Sequence, residues 1–122
     1  MSPQEIIAKD CERTGHRVGA VMHGIAVAFD KRGAKLFHDG KSVVILEPIG
    51  QSKRDFEVHL FTVDSPLGIV RSVRRIGDQI RQVPSLEKVY GDAEPQVVQM
   101  LRTAGFPVEN SDRKEFNWMA RA

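Results

Sequence analysis

Asp55-Phe56-Glu57-Val58-His59-Leu60-Phe61-Thr62-Val63-Asp64-Ser65-Pro66-Leu67-Gly68-Ile69-Val70-Arg71, with its continuation to Val83, is the stretch that decides the fold. Phe56, Val58, Leu60 and Thr62 alternate with Glu57, His59, Phe61 and Val63. Both sets contain apolar residues, the pattern of a central strand covered on both faces. The strand stops sharply. Ser65 can cap a helix and Pro66 can take its first position, where a missing N–H costs nothing. Leu67, Val70, Val73, Ile76, Ile80 and Val83 then recur at helical spacing. A strand, a tight turn and a helix start together suit an anionic ligand, because unpaired N–H groups and the helix dipole point at the turn.

The rest of the chain limits what such a site can belong to. A length of 122 residues is that of one domain with a real core, and the net charge of +2 gives no basic excess of the kind that marks a dedicated nucleic-acid binder. Cys11 is the sole cysteine, so no internal disulfide forms, as suits a reducing compartment. The longest apolar run, Gly19 to Phe29, contains His23 and is too short to cross a bilayer. These features predict a soluble, cytoplasmic protein of one domain.

Upstream of the central strand, Ser2-Pro3-Gln4-Glu5 has the form of a capping box opening a helix with Ile6, Ile7 and Cys11 on one stripe. Gly15 breaks it. Val18, Val21, Met22, Ile25 and Phe29, with Ala20, Ala26 and Ala28, predict a second helix with a broad buried face, ended at Lys31-Arg32-Gly33. Ala34–Phe37 and Ser42–Leu46 flank His38-Asp39-Gly40-Lys41, and Asp-Gly between β-formers predicts a hairpin. Downstream, Pro84 stops the long helix, Leu86–Tyr90 reads as a strand, and a helix carrying Val97, Val98, Met100 and Leu101 ends at Ala104-Gly105-Phe106. A polar loop, Glu109 to Lys114, leads to a last strand from Phe116 to Met119. The predicted order is ααβββαβαβ, a mixed α/β fold.

That order from Leu36 onward, with the last helix ending in Gly105-Phe106 before a loop and a strand, resembles the GNAT superfamily of acyl-CoA N-acyltransferases over about two-thirds of the chain. The resemblance implies a coenzyme A site at the strand–turn–helix. Backbone amides of a Q/R-x-x-G-x-G/A turn would hold the pyrophosphate there, and the splayed strand end would pair with the pantetheine. Carried onto this chain, the cofactor-binding positions are Phe61, Val63, Ser65, Leu67, Gly68, Ile69, Val70 and Arg71, and acetyl-CoA is the implied cofactor. Only Gly68 matches the turn motif. Ser65 stands where the family has Arg or Gln, and the β-branched Val70 where it has a small residue. Pro66 removes one amide. The tyrosine that many members use as general acid for the departing thiolate falls on Leu101, which has no proton to give. The family's first strand is missing from this chain or supplied by another. These departures imply a shortened, degenerate relative, of a kind found among small tailed-phage proteins.

Glu57 and His59 share a face of the central strand and are the candidate catalytic bases, able to take a proton from an amine. Their bland alternative is a hydrogen-bonded histidine and an exposed carboxylate. His16, His23 and His38 fall on other elements without His-x-x-x-His or Cys-x-x-Cys spacing, so no metal site is predicted. Arg71, Arg74, Arg75 and Arg81 form the most basic cluster. They could meet phosphates, or form a solvated face with Arg74 balanced by Asp78. Trp118, Phe116 and Tyr90 read as core or interface residues.

Two functional classes follow. One is a non-catalytic binding or structural subunit of a larger assembly, such as a phage virion, with a protein partner or a second copy of itself. The other is an active N-acetyltransferase moving an acetyl group from acetyl-CoA to an amine. Neither involves a membrane or a specific nucleic acid.

Overall fold

A computed structural model describes residues 1–121, the side chain of Pro66 excepted. In order, these form α1 (Pro3–Thr14), α2 (Val18–Arg32), β1 (Lys35–His38), β2 (Ser42–Pro48), β3 (Asp55–Thr62), α3 (Pro66–Ile80), β4 (Lys88–Gly91), α4 (Pro95–Thr103), β5 (Val108–Asn110) and β6 (Trp118–Arg121). The strands form one mixed sheet in the order β1-β2-β3-β4-β6-β5, in which β3 and β4 run parallel and every other pair antiparallel. A mixed α/β fold is therefore what the sequence builds.

Local chemistry explains the ends of the elements. Ser2 Oγ accepts the Glu5 N–H while Glu5 Oε1 accepts the Ser2 N–H, closing the capping box on α1. At the β1–β2 hairpin, Asp39 Oδ1 accepts the N–H groups of Lys41 and Ser42, and Gly40 takes φ 90°. Ser65 caps α3, its Oγ accepting the Gly68 N–H at 3.3 Å, with Pro66 in the first turn. α4 closes in a Schellman motif: Gly105 donates to Arg102 O and Phe106 to Leu101 O.

Register divides the core between the two faces of the sheet. Leu36, Val43, Ile45 and Phe61 face α1 and α2 and pack with Ile6, Ile7, Cys11 and Ala28. Val44, Leu46, Phe56, Val89, Trp118 and Ala120 pack on the other face with Ile76 and Ile80 of α3. Each fully buried Ile or Leu contributes about 1.5–3 kcal/mol relative to an exposed one. The two-sided apolar pattern of β3 is thus the pattern of a strand between two cores. Tyr90 and Trp118 are buried core residues, as their composition predicts, and Phe116 is half-buried with its ring 5.5 Å from that of Tyr90.

Three expectations need correction. The predicted polar loop before the last strand contains the start of a ladder: Val108, Glu109 and Asn110 pair with Ala120, Met119 and Trp118, which gives ten elements among the described residues rather than nine and sets β6 at Trp118–Arg121. β5 is too short and too exposed to carry an alternation. α2 has no broad buried face. Only Ala28 is fully buried, Val18, Val21, Met22 and Ile25 are half-buried, and Val27 and Phe29 are each 38% exposed. Its apolar residues run round the helix, and α1 with the sheet can cover only one side. Arg74 does not pair with Asp78. It donates to the carbonyls of Ala104 and Thr103 at the C-terminus of α4, where helix carbonyls attract a cation, and Asp78 pairs with Arg81 instead.

Candidate functional site

The site begins where β3 and β4 part. They pair only through Asp55↔Lys88, Phe56↔Val89 and Glu57↔Tyr90, while β3 runs on to Thr62 and β4 ends at Gly91. Val58–Thr62 therefore have no β4 partner among the described residues. The wedge opens into a cleft of about 650 Å³, within the range of small-molecule sites. One wall is Val58 to Thr62 of β3, the other is Gly91 to Ala93, and Ile69, Val73 and Ile76 of α3 with Met100 and Leu101 of α4 close it from one side. Arg13, Thr14 and His16, at the end of α1, sit at its other side.

At the start of α3 a second, smaller cavity of about 310 Å³ lies between that helix and the β1–β2 hairpin. Lys41, Arg71 and Arg75 line it with Asp39, Asp64, Ser65 and Gly68. Burial pushes the Asp39 carboxyl up, but the Ser72 hydroxyl, the Lys41 and Ser42 N–H groups and the Arg75 charge outweigh it and hold the group below the usual carboxylate range. The Asp64 carboxylate accepts the Ser65 N–H at 2.8 Å and lies against Gly68, occupying the space a β-carbon there would take.

On the α1/α2 face of the sheet, antiparallel register sets Glu47 opposite Glu57 and two residue pairs away from His59. His59 Nε2 is 3.1 Å from Glu47 Oε2 and 3.7 Å from Glu57 Oε2, and the three ligand-type atoms lie within 4.8 Å of one another. Arg32 holds the other oxygen of Glu47. The imidazole and the guanidinium thus divide one carboxylate between them. A histidine oriented by a carboxylate can carry a proton away from an attacking amine, and two half-buried carboxylates favour a cation beside them.

The candidate residues fall into four groups. Glu57 and His59 are brought together. Phe61 and Ile69 line the cleft, whereas Ser65, Leu67, Gly68 and Arg71 line the smaller cavity. Val63 and Val70 line neither: Val63 is exposed with its N–H donated to Lys41 O, and Val70 is half-buried. Sequence reasoning missed Glu47, Lys41, Asp64 and the end of α1. Counting back across the turn at Ile49–Arg54 would have set Glu47 against Glu57. Nothing local points from α1 to β3.

No protein-family model matches the chain, and no curated protein matches it. Among solved structures it superposes on a mutant of spermidine N-acetyltransferase SpeG from Vibrio cholerae with a TM-score of 0.53, over 86% of this chain and 73% of that one, at 15% sequence identity. That protein is a GNAT acetyltransferase. The fold is GNAT-like. Leu101 of α4 is among the residues that line the β3/β4 wedge.

Proposed function

We propose that this chain is a GNAT-like binding domain that takes the pantetheine arm of an acyl thioester into the β3/β4 wedge without efficient acyl transfer, and that it works as a subunit of a larger assembly. The wedge carries the reading. β3 extends for five residues beyond its last β4 partner, and its unpaired edge N–H and C=O groups can bond the amides of an extended arm as an added strand would. Apolar walls suit the methylenes between those amides.

Two features argue against turnover. Attack of an amine on the thioester carbonyl forms the new C–N bond and expels a thiolate, which leaves faster when a proton reaches it. The cleft residue at the position of the family's acid is Leu101, which has none. The helix turn beneath the arm is closed by Asp64 and Ser65.

A second reading, an active N-acetyltransferase, is favoured by one observation. His59 is held on β3 by Glu47, beside the wedge, as a base for the incoming amine would be.

Thermal unfolding with acetyl-CoA separates these readings. Binding raises the melting temperature in proportion to the logarithm of ligand concentration above Kd. The expected result is such a rise without amine-dependent thiol release when a polyamine is added. An unchanged melting temperature at millimolar ligand removes the wedge as a binding site, and amine-dependent thiol release selects the second reading.

A further inference from the structure

We infer that Asp64 is a charge filter on the wedge, an internal carboxylate that lets the chain bind an acyl-pantetheine arm while denying coenzyme A the anchorage its pyrophosphate would otherwise find at the first turn of α3. The inference rests on the binding reading above and adds to it the kind of thioester the cleft accepts.

A helix start attracts an anion through its free N–H groups and its dipole. Here the chain has used most of them. The Ser65 N–H goes to Asp64 Oδ1 at 2.8 Å, and the Gly68 N–H goes to Ser65 Oγ at 3.3 Å. Pro66 has no N–H. Of the four backbone positions from Ser65 to Gly68, only Leu67 has an N–H without a partner in the chain's own turn.

Position matters as much as donor count. Gly68 lacks a side chain, the condition for an anion to approach the helix backbone closely, and the Asp64 carboxylate fills that space. The backbone holds it there: Thr62 Oγ1 accepts the Asp64 N–H at 3.1 Å, and Thr62 is itself fixed by a buried 2.8 Å hydrogen bond to Ser42. Lys41, Arg71 and Arg75 line the adjoining cavity. Asp64 and Asp39 set two carboxylates against those three cations, so an incoming pyrophosphate meets a largely neutralised pocket. The wedge itself, with its apolar walls and unpaired strand edge, makes no use of that charge.

The test compares two probes, acetyl-pantetheine, which has no phosphate, and acetyl-CoA, by isothermal titration against the wild-type chain, Asp64→Asn and Asp64→Ser. Asparagine keeps an oxygen for the Ser65 N–H and removes the charge; serine removes charge and bulk together. Far-UV circular dichroism melts establish that both variants fold. The expected result is that the wild type binds the two probes with affinities within a few-fold, while each variant gains about tenfold or more for acetyl-CoA and nothing for acetyl-pantetheine. If the wild type already prefers acetyl-CoA strongly and neither variant changes that preference, the filter is overturned and the wedge reading stands. If Asp64→Ser gains for acetyl-CoA and Asp64→Asn does not, Asp64 acts by obstruction and the charge argument fails; if both probes gain equally in a variant, the side chain acts on the wedge as a whole and the filter is overturned. If neither probe binds any of the three proteins, the wedge reading fails and the filter with it.

Discussion

His59 on β3 bonds Glu47 on β2 at 3.1 Å through Nε2, and the same nitrogen lies 3.7 Å from Glu57, the cross-strand partner of Glu47. Removing the imidazole leaves Glu47 and Glu57 facing each other across the strand pair with Arg32 as the nearest cation on Glu47. Cross-strand pairs of this kind contribute about 0.2–1 kcal/mol, and like charges opposite one another cost a similar amount. His59→Ala should therefore lose about 1 kcal/mol in urea unfolding at neutral pH. His59→Gln, which keeps a hydrogen-bonding atom, should lose less. Equal stability of wild type and His59→Ala would mean the contact contributes nothing.

Asp39 gives a pH dependence of determined sign. Its carboxyl is held below the ordinary range despite burial, because Ser72, the Lys41 and Ser42 N–H groups and Arg75 favour the charged form. A group depressed in the folded state contributes stability above its unfolded pKa and loses it as pH falls through the folded value. Wild type should accordingly exceed Asp39→Asn in melting temperature at pH 6–7, and the gap should close on acidification below about pH 4. A gap that stays constant or widens toward acid would contradict the assignment.

Much of this arrangement is legible in the residues. β3, the cap at Ser65 and the amphipathic run of α3 follow from alternation, a hydroxyl and a proline, all local signals. Leu101 and Phe106 could be placed from Gly105 alone, because a left-handed residue ends the helix and fixes its last turn. β5 could not be read, since three residues, two of them exposed, acquire strand character only from the β6 edge beside them. Arg74 was open to misreading for the same reason. Asp78 lies four residues away in sequence, but the carbonyls it does not compete with successfully, at Thr103 and Ala104, are supplied by a distant helix. The site divides along the same line. Glu57 and His59 share a strand and could be paired from spacing. Glu47, Lys41 and the Asp64 carboxylate acquire their roles from register and from a turn folding back on itself.

Gly77 and Phe106 set how closely α3 and α4 approach. The ring of Phe106 lies where a β-carbon on Gly77 would be, with the ring's Cζ nearest. Overpacking of this kind costs about 1–3 kcal/mol. Gly77→Ala should show that loss in chemical denaturation, and it should be largely absent in a Phe106→Ala background, where the ring has gone. Residues in direct contact couple and distant ones add. Additive losses in the double variant would show that the two helices do not meet as described.

Leu101 bears on the lack of turnover proposed for this wedge. It lines the cleft from α4, four residues before the glycine that ends the helix. A phenol there could reach a thiolate leaving from an arm laid along β3, and a positioned general acid contributes about 10²–10⁴-fold. With acetyl-CoA and a polyamine, wild type should release thiol at the uncatalysed rate, and Leu101→Tyr should raise that rate measurably. Adding His59→Ala to Leu101→Tyr should remove the gain if the imidazole carries the amine's proton. It should leave the gain intact if His59 only braces the sheet. Leu101→Phe, which matches the ring without its hydroxyl, supplies the control: a gain there as large as with tyrosine would trace the effect to packing rather than to a proton. No gain in either variant, with acetyl-CoA bound as tightly as before, would move the obstacle from the missing acid to the filtered turn at Asp64, where Asp64→Asn combined with Leu101→Tyr becomes the variant that must turn over.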